Sequence, residues 1–170
     1  MNSTKYLNDQ EAEALETFLK ARIKEHPRDT LLLLLTLKTG ARASEVLRVR
    51  RGDLNTFNKS VFIRGLKGSN DREIPLNAAL FKELNEYTIA MKDEEQIFPI
   101  TYNTMVKVWY KWRQTKKKLH SLRHTNLLKV YKKSKDINLV MQVSGHRSYN
   151  SVRTYQTYCY TQTELRRILK

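Results

Sequence analysis

Three short stretches of this 170-residue chain hold more reactive side chains than packing alone requires. They are Thr39-Gly40-Ala41-Arg42-Ala43-Ser44-Glu45, His120-Ser121-Leu122-Arg123-His124, and Gly145-His146 with Tyr155 nine residues further on. Arginine suits phosphate because its planar fork donates parallel hydrogen bonds to two oxygens at once. Histidine exchanges protons near neutral pH. A tyrosine hydroxyl, ordinarily of pKa about 10, becomes a nucleophile only where its proton is removed or cations stabilise the phenolate. Together these types suit attack of a hydroxyl on a phosphodiester. None of the three stretches offers two neighbouring carboxylates to hold Mg²⁺, and no Gly-rich loop ends in Gly-Lys-Ser/Thr. Neither a metal nor a cofactor is expected.

The elements that must position these groups are mostly helical. Asn8 and Glu11 have capping-box spacing, and Leu15, Phe18, Leu19 and Ile23 share one face, which predicts a helix from about Asp9 to Lys24. Asp29 is placed to cap a second helix through Leu31–Leu37, ended by Gly40 in a left-handed turn, so Arg42 falls at a junction between helices. A short helix over Ser44–Val49 and a break at Gly52-Asp53 follow. Val61-Phe62-Ile63 and Glu73-Ile74-Pro75-Leu76 read as the strands of a small antiparallel hairpin, with Lys67 near its tip. Helices are then expected from Asn77 past Leu84, over Tyr102–Arg113, His120–Tyr131 and Asp136–Val143, with Gly145 ending the last. Tyr149–Tyr158 is ambiguous. Thr161 and Glu164 repeat the capping-box spacing, so 161–170 is read as a short helical tail with Leu165, Ile168 and Leu169 on its apolar side.

Composition limits the partner. Thirty-two Lys and Arg against 17 Asp and Glu leave a net charge of +15, a bias that suits a polyanion, nucleic acid before an anionic membrane. The longest apolar run, Leu31–Leu35, is too short to span a bilayer, and the first residues carry Asp9, Glu11 and Glu13 rather than a leader's apolar stretch. No membrane partner is expected, and the cytoplasm, at the nucleoid, is the expected location. A lone Cys159 excludes an internal disulfide. At 40% apolar residues, 1–170 reads as one folded domain.

The ordered set of a Thr-Gly-x-Arg turn with a carboxylate three residues on, a hairpin lysine, His-x-x-Arg, Gly-His and a tyrosine resembles the tyrosine recombinase (phage integrase) family, from Tyr6 to Tyr155. The resemblance implies a mostly α (α+β) catalytic domain with a small antiparallel sheet. It also implies metal-independent DNA cleavage and rejoining through a covalent 3′-phosphotyrosine. Carried over residue by residue, it makes Arg42, Lys67, His120, Arg123, His146 and Tyr155 catalytic, with Glu45 supporting. Arg42 and Arg123 would meet the non-bridging phosphate oxygens. His120 would accept the phenol proton, Lys67 would protonate the leaving 5′ oxygen, and His146 would bond a phosphate oxygen or buttress Tyr155. The partner would be double-stranded DNA, with a tetramer forming on paired sites and a monomer without DNA. Many members carry a further amino-terminal helical domain that closes over DNA, and this chain starts where their catalytic domain begins.

Each residue also has a plainer reading. Arg42 alone could cap the Leu-rich helix, and Lys67 could be a solvated turn residue. His124 is taken as structural. Tyr149, Tyr158 and Tyr160 compete with Tyr155 as aromatic packing, and only the distance from His146 selects Tyr155. Lys116-Lys117-Lys118 and Lys132-Lys133-Ser134-Lys135 read as generic backbone contacts or solvated surface. Two other functions share these features: a type IB topoisomerase-like DNA-relaxing enzyme and a catalytically silent DNA-binding module.

Overall fold

The computed structural model describes residues 5–66, 68–157, 165, 166 and 169. Its centre is helix α2 (Pro27–Thr39), buried on every side through Leu31, Leu32, Leu33, Leu34 and Leu35. A helix apolar all round must be wrapped, and α1 (Asp9–Lys20), α3 (Ala43–Val46), α4 (Ala78–Tyr87) and α6 (Ser121–Ser134) pack against it. Helices α5 (Tyr102–Trp112) and α7 (Ile137–Ser144) complete the set, and Tyr149–Ser151 and Arg153–Tyr155 form two 3₁₀ turns. The fold is mostly helical with one small antiparallel sheet, as the sequence implies.

Local chemistry sets most of the boundaries. Asn8 and Glu11 close both halves of the capping box of α1, and Gly40 ends α2 at φ 62°. Asn77, Thr101 and Asp136 cap α4, α5 and α7 through their side chains. Helix α1 stops at Lys20 rather than Lys24, and a turn leads to Pro27, which occupies the first position of α2. Proline fits there because its missing N–H has no intrahelical partner, and it moves the start of α2 ahead of Asp29. Asp29 therefore lies inside the first turn, buried, accepting hydrogen bonds from the Trp112 indole (3.0 Å) and Arg28 (2.8 Å). The third helix ends at Val46, earlier than expected, while α6 runs on to Ser134.

The sheet has three strands in the order β1 (Leu54–Asn55), β2 (Ser60–Ile63), β3 (Arg72–Pro75), all antiparallel. The first strand is two residues long, too short to show alternation. In β3, Arg72 and Ile74 point inward and Glu73 outward. A second apolar cluster joins Tyr6, Leu127, Leu128, Val140, Val152 and Tyr155, seating the 3₁₀ turns against α6 and α7. Lys67, Tyr158, the Thr161/Glu164 capping pair and Ile168 lie outside the described residues; within the expected tail, Leu165 and Arg166 are helical and Leu169 is exposed. No helix among the described residues is long and apolar enough to cross a membrane.

Candidate active site

Glu45 is the hub. It sits at the third position of α3, 1% exposed, and its carboxylate accepts the Arg42 backbone N–H at 2.9 Å. It also accepts Arg42 Nη1 at 3.2 Å and Arg72 Nη2 at 2.8 Å, with Arg123 Nη1 3.9 Å away. Burial pushes its pKa up, but the Arg72 hydrogen bond, the Arg42 N–H and the charges of Arg72 and Arg123 outweigh it, so the net shift is down. One carboxylate against three guanidiniums leaves the cluster in need of a further anion.

Arg123 enters from α6 and is only 3% exposed. Nη1 donates to the Gly40 carbonyl at 2.7 Å, and Nη2 donates to the Ser144 carbonyl at 3.0 Å and to His146 Nε2 at 3.3 Å. These partners are the C-terminal ends of α2 and α7, where carbonyls point outward unpaired, so the arginine ties both helix ends to the site. Burial and the Arg42 charge lower its pKa to about 10, which leaves it charged at neutral pH. Arg42 is less committed, with its side chain one-third exposed.

Gly145 closes α7 at φ 72° and turns His146 toward the site. His146 Nδ1 lies 2.7 Å from Ser144 Oγ while Nε2 faces Arg123. Because arginine can only donate, Nε2 is the acceptor and Nδ1 carries the proton. Burial and the charges of Arg123, Arg42 and Arg72 pull the pKa of His146 to about 4, consistent with that neutral ring. The loop between β2 and β3 is fastened here too, since Asn70 N–H (2.8 Å) and Ser69 Oγ (3.1 Å) both donate to the Gly145 carbonyl. Arg72 Nε donates to the Val143 carbonyl at 2.8 Å and locks the same joint.

Between Arg42 and Arg123 lies a pocket of about 180 Å³, walled by Ala41, Ser44, Tyr102 and His120 as well. His120 also lines a larger neighbouring cavity of about 620 Å³ with Lys5, Lys116, Lys117, Lys118 and His124. Burial, then the charges of Arg123 and Arg42, lower the pKa of His120. Its ring stands edge-on to that of His124, centroids 4.6 Å apart.

Tyr155 is not open to the pocket. It is 1% exposed at the end of the last 3₁₀ turn, and its hydroxyl meets His124 Nδ1 at 3.0 Å. Burial raises its pKa to about 12 against the opposing pull of Arg123 and Arg42. Thus Arg42, Glu45, Arg123 and His146 come together, His120 borders them, and Tyr155 stands one side chain away behind His124. Arg72, Ser144 and Tyr102 also belong to the site although no sequence motif marks them, and His124, expected to be structural, meets the Tyr155 hydroxyl. Two signals were available: an arginine in register with Ile74 on the buried face of β3 needs a carboxylate, and His124 lies one helical turn from His120.

Residues 5–161 match the model of the phage integrase family. The chain is 27% identical over 146 residues to tyrosine recombinase XerA of Pyrococcus horikoshii, covering 78% of this chain and 51% of that protein. It is 29% identical over 143 residues to tyrosine recombinase XerH of Campylobacter jejuni, covering 75% and 40%. The chain thus spans about half the length of the curated relatives it matches. Among solved structures, XerH bound to its difH substrate in a pre-cleavage complex superposes with a TM-score of 0.73 at 24% identity, over 98% of this chain and 54% of that one. The catalytic domain of bacteriophage HP1 integrase superposes at 0.68 with 20% identity, over 94% and 91%. These two likenesses establish the fold, and the family match over 5–161 settles the lineage: the chain belongs to the phage integrase family.

Proposed function

We propose that this chain is the strand-cutting and rejoining domain of a site-specific DNA recombinase, with Tyr155 as its nucleophile. The observation that carries the reading is the meeting of Arg42 and Arg123, 81 residues apart in sequence, on one buried carboxylate beside a pocket of about 180 Å³. A phosphodiester entering that pocket would supply the anion the cluster needs. Negative charge builds on its non-bridging oxygens during attack, and preorganised guanidiniums stabilise it without reorganising. Glu45 and Arg72 fix the arginines in advance.

In the proposed step the Tyr155 oxygen attacks phosphorus and its proton passes to His120, which lies between the phosphate pocket and the present partner of the hydroxyl, His124. The bond from phosphorus to the 5′ oxygen breaks, and Lys67 delivers a proton to the leaving oxygen. For His146 to bond a phosphate oxygen, its Nε2 must take up a proton as the phosphate arrives, because in the free protein that nitrogen accepts from Arg123. The 3′-phosphotyrosine keeps the phosphodiester's energy, so a 5′ hydroxyl from another strand reverses the step and exchanges strands without ATP. Two-site exchange calls for a tetramer on paired double-stranded DNA sites.

The test is incubation with nicked suicide substrates from a pooled DNA library, resolved on a denaturing gel. A covalent adduct is expected with the unsubstituted chain, undiminished in EDTA, and none with Tyr155→Phe, which should keep its DNA affinity within about twofold because only one hydroxyl is lost. Strict Mg²⁺ dependence would sink the mechanism. An adduct surviving in Tyr155→Phe would move the nucleophile to another tyrosine such as Tyr158. DNA binding with no adduct at all would make the chain a silent binding module.

A further inference from the structure

The mechanism leaves one well-placed group without a task. His124 holds the Tyr155 hydroxyl at 3.0 Å, and the rings lie 6.0 Å apart. This contact does not present the hydroxyl to the phosphate pocket. Tyr155 is 1% exposed and packed with Tyr6, Leu127, Leu128, Val140 and Val152, and it is absent from the wall that Arg42, Ser44, Tyr102, His120 and Arg123 make.

Resting on the reading of Tyr155 as nucleophile, we propose that His124 is a positioning residue that holds Tyr155 in a sequestered rest position, and that breaking this hydrogen bond precedes attack on DNA. The direction of the bond fits a hold better than a proton transfer. Arg123 at the start of α6 and Lys5 before α1 place positive charge near His124, and protonation of His120 at the start of α6 or of His146 after α7 would add to it. Burial and these charges keep its pKa at about 4, while burial keeps that of the phenol at about 12. Nδ1 is therefore a neutral acceptor, the phenol donates, and a full proton transfer between them in the free protein is strongly uphill.

The segment carrying Tyr155 is built to let go. Two one-turn 3₁₀ helices, Tyr149–Ser151 and Arg153–Tyr155, carry it, with Val152 and Tyr155 as its buried anchors. Short 3₁₀ turns have poor hydrogen-bond geometry and open at low cost. His120, edge-on to His124 and lining both cavities, is the next polar group along the exit.

The experiment compares His124→Leu, His124→Asn and the unsubstituted full chain by nitration of tyrosines with tetranitromethane, sites mapped by peptide mass spectrometry, and by the rate of adduct formation at saturating suicide substrate. His124→Leu removes the acceptor and leaves the phenol buried and unpaired. Tyr155 should become reactive to nitration without DNA, and the adduct should form roughly tenfold faster, the factor one lost buried hydrogen bond is worth. His124→Asn, which returns an acceptor near the Nδ1 position, should restore protection and slow the adduct again. Should the leucine variant fail to fold, His124→Gln, whose amide reaches the Nε2 position instead, is read the same way. A slower adduct with Tyr155 still protected would overturn the hold and make His124 part of the attack. The nitration arm needs no DNA, so it stands apart from the fate of the proposed reaction; an adduct persisting in Tyr155→Phe would instead overturn the nucleophile itself.

Discussion

At the scale of single residues, the site depends on which side chains are kept charged and which neutral. Glu45 is held ionised by the guanidiniums around it, whereas His146 is held neutral by burial and by those same cations, and His124 by burial with His120, Arg123 and Lys5. The two histidines make stability depend on pH. Their folded-state pKa values of about 4 lie below the ordinary 6.5, so between these limits the unfolded chain binds protons that the folded one refuses. Their contribution is complete above pH 6.5 and is lost as pH falls toward 4, by at most about 3 kcal/mol per histidine. Urea unfolding at pH 7 and pH 4.5 should show the loss, and a His124→Asn, His146→Asn double variant should show much less of it. A stability flat across this range would refute the assignment. Glu45, with its pKa lowered, acts in the same direction at a lower pH: its share is present above 4.5 and is lost below that value as the carboxylate protonates.

At the scale of elements, the joint between α7 and the β2–β3 loop decides whether His146 faces the arginines. Gly145 makes the joint possible twice over. Its φ of 72° is strained for any other residue, and a Cβ there would meet Ser69 Oγ at 2.5 Å, Arg72 Nη1 at 2.8 Å and the Asn70 carbonyl at 2.8 Å. Gly145→Ala should cost about 2–4 kcal/mol, strain and overpacking together, and pry the loop from His146. Adduct formation should collapse while DNA affinity, spread over the whole basic surface, changes by only a few fold. Gly68 is the control. It too has a positive φ, 79°, but a Cβ would meet nothing within 4 Å, so Gly68→Ala should cost only about 1 kcal/mol. Equal losses of melting temperature in the two variants would show that contact with the loop is unimportant.

For the whole molecule, the +15 charge sets the affinity for its proposed partner and the way that affinity responds to salt. If about 6 phosphates are neutralised, the logarithm of the DNA association constant should fall against log salt with a slope of about −5. Titration between roughly 50 and 200 mM salt by fluorescence anisotropy measures it. A flat response would point to a partner other than a polyanion.

The sequence by itself determined the class of the fold and most helix boundaries, and it marked Arg42, Glu45, Arg123 and His146, which the structure brings together. Caps such as Asn8, Thr101 and Gly40 act within four residues of themselves, and the capacity of Arg42 and Arg123 to pair with an anion is written in their guanidiniums. At the start of α2 a competing local preference prevails: Pro27 takes the first position and leaves Asp29 free to bind Trp112. Only the tertiary structure decided that Arg72 shares Glu45, that Ser144 sets the tautomer of His146, and that the Tyr155 hydroxyl rests on His124 rather than in the pocket between Arg42 and Arg123. The first and last depend on partners 27 and 31 residues distant, and the tautomer of His146 depends on Arg123, 23 residues away, occupying its Nε2. Desolvation, which holds His124 neutral and Tyr155 protonated, exists only once α6, α7 and the 3₁₀ turns have closed around them.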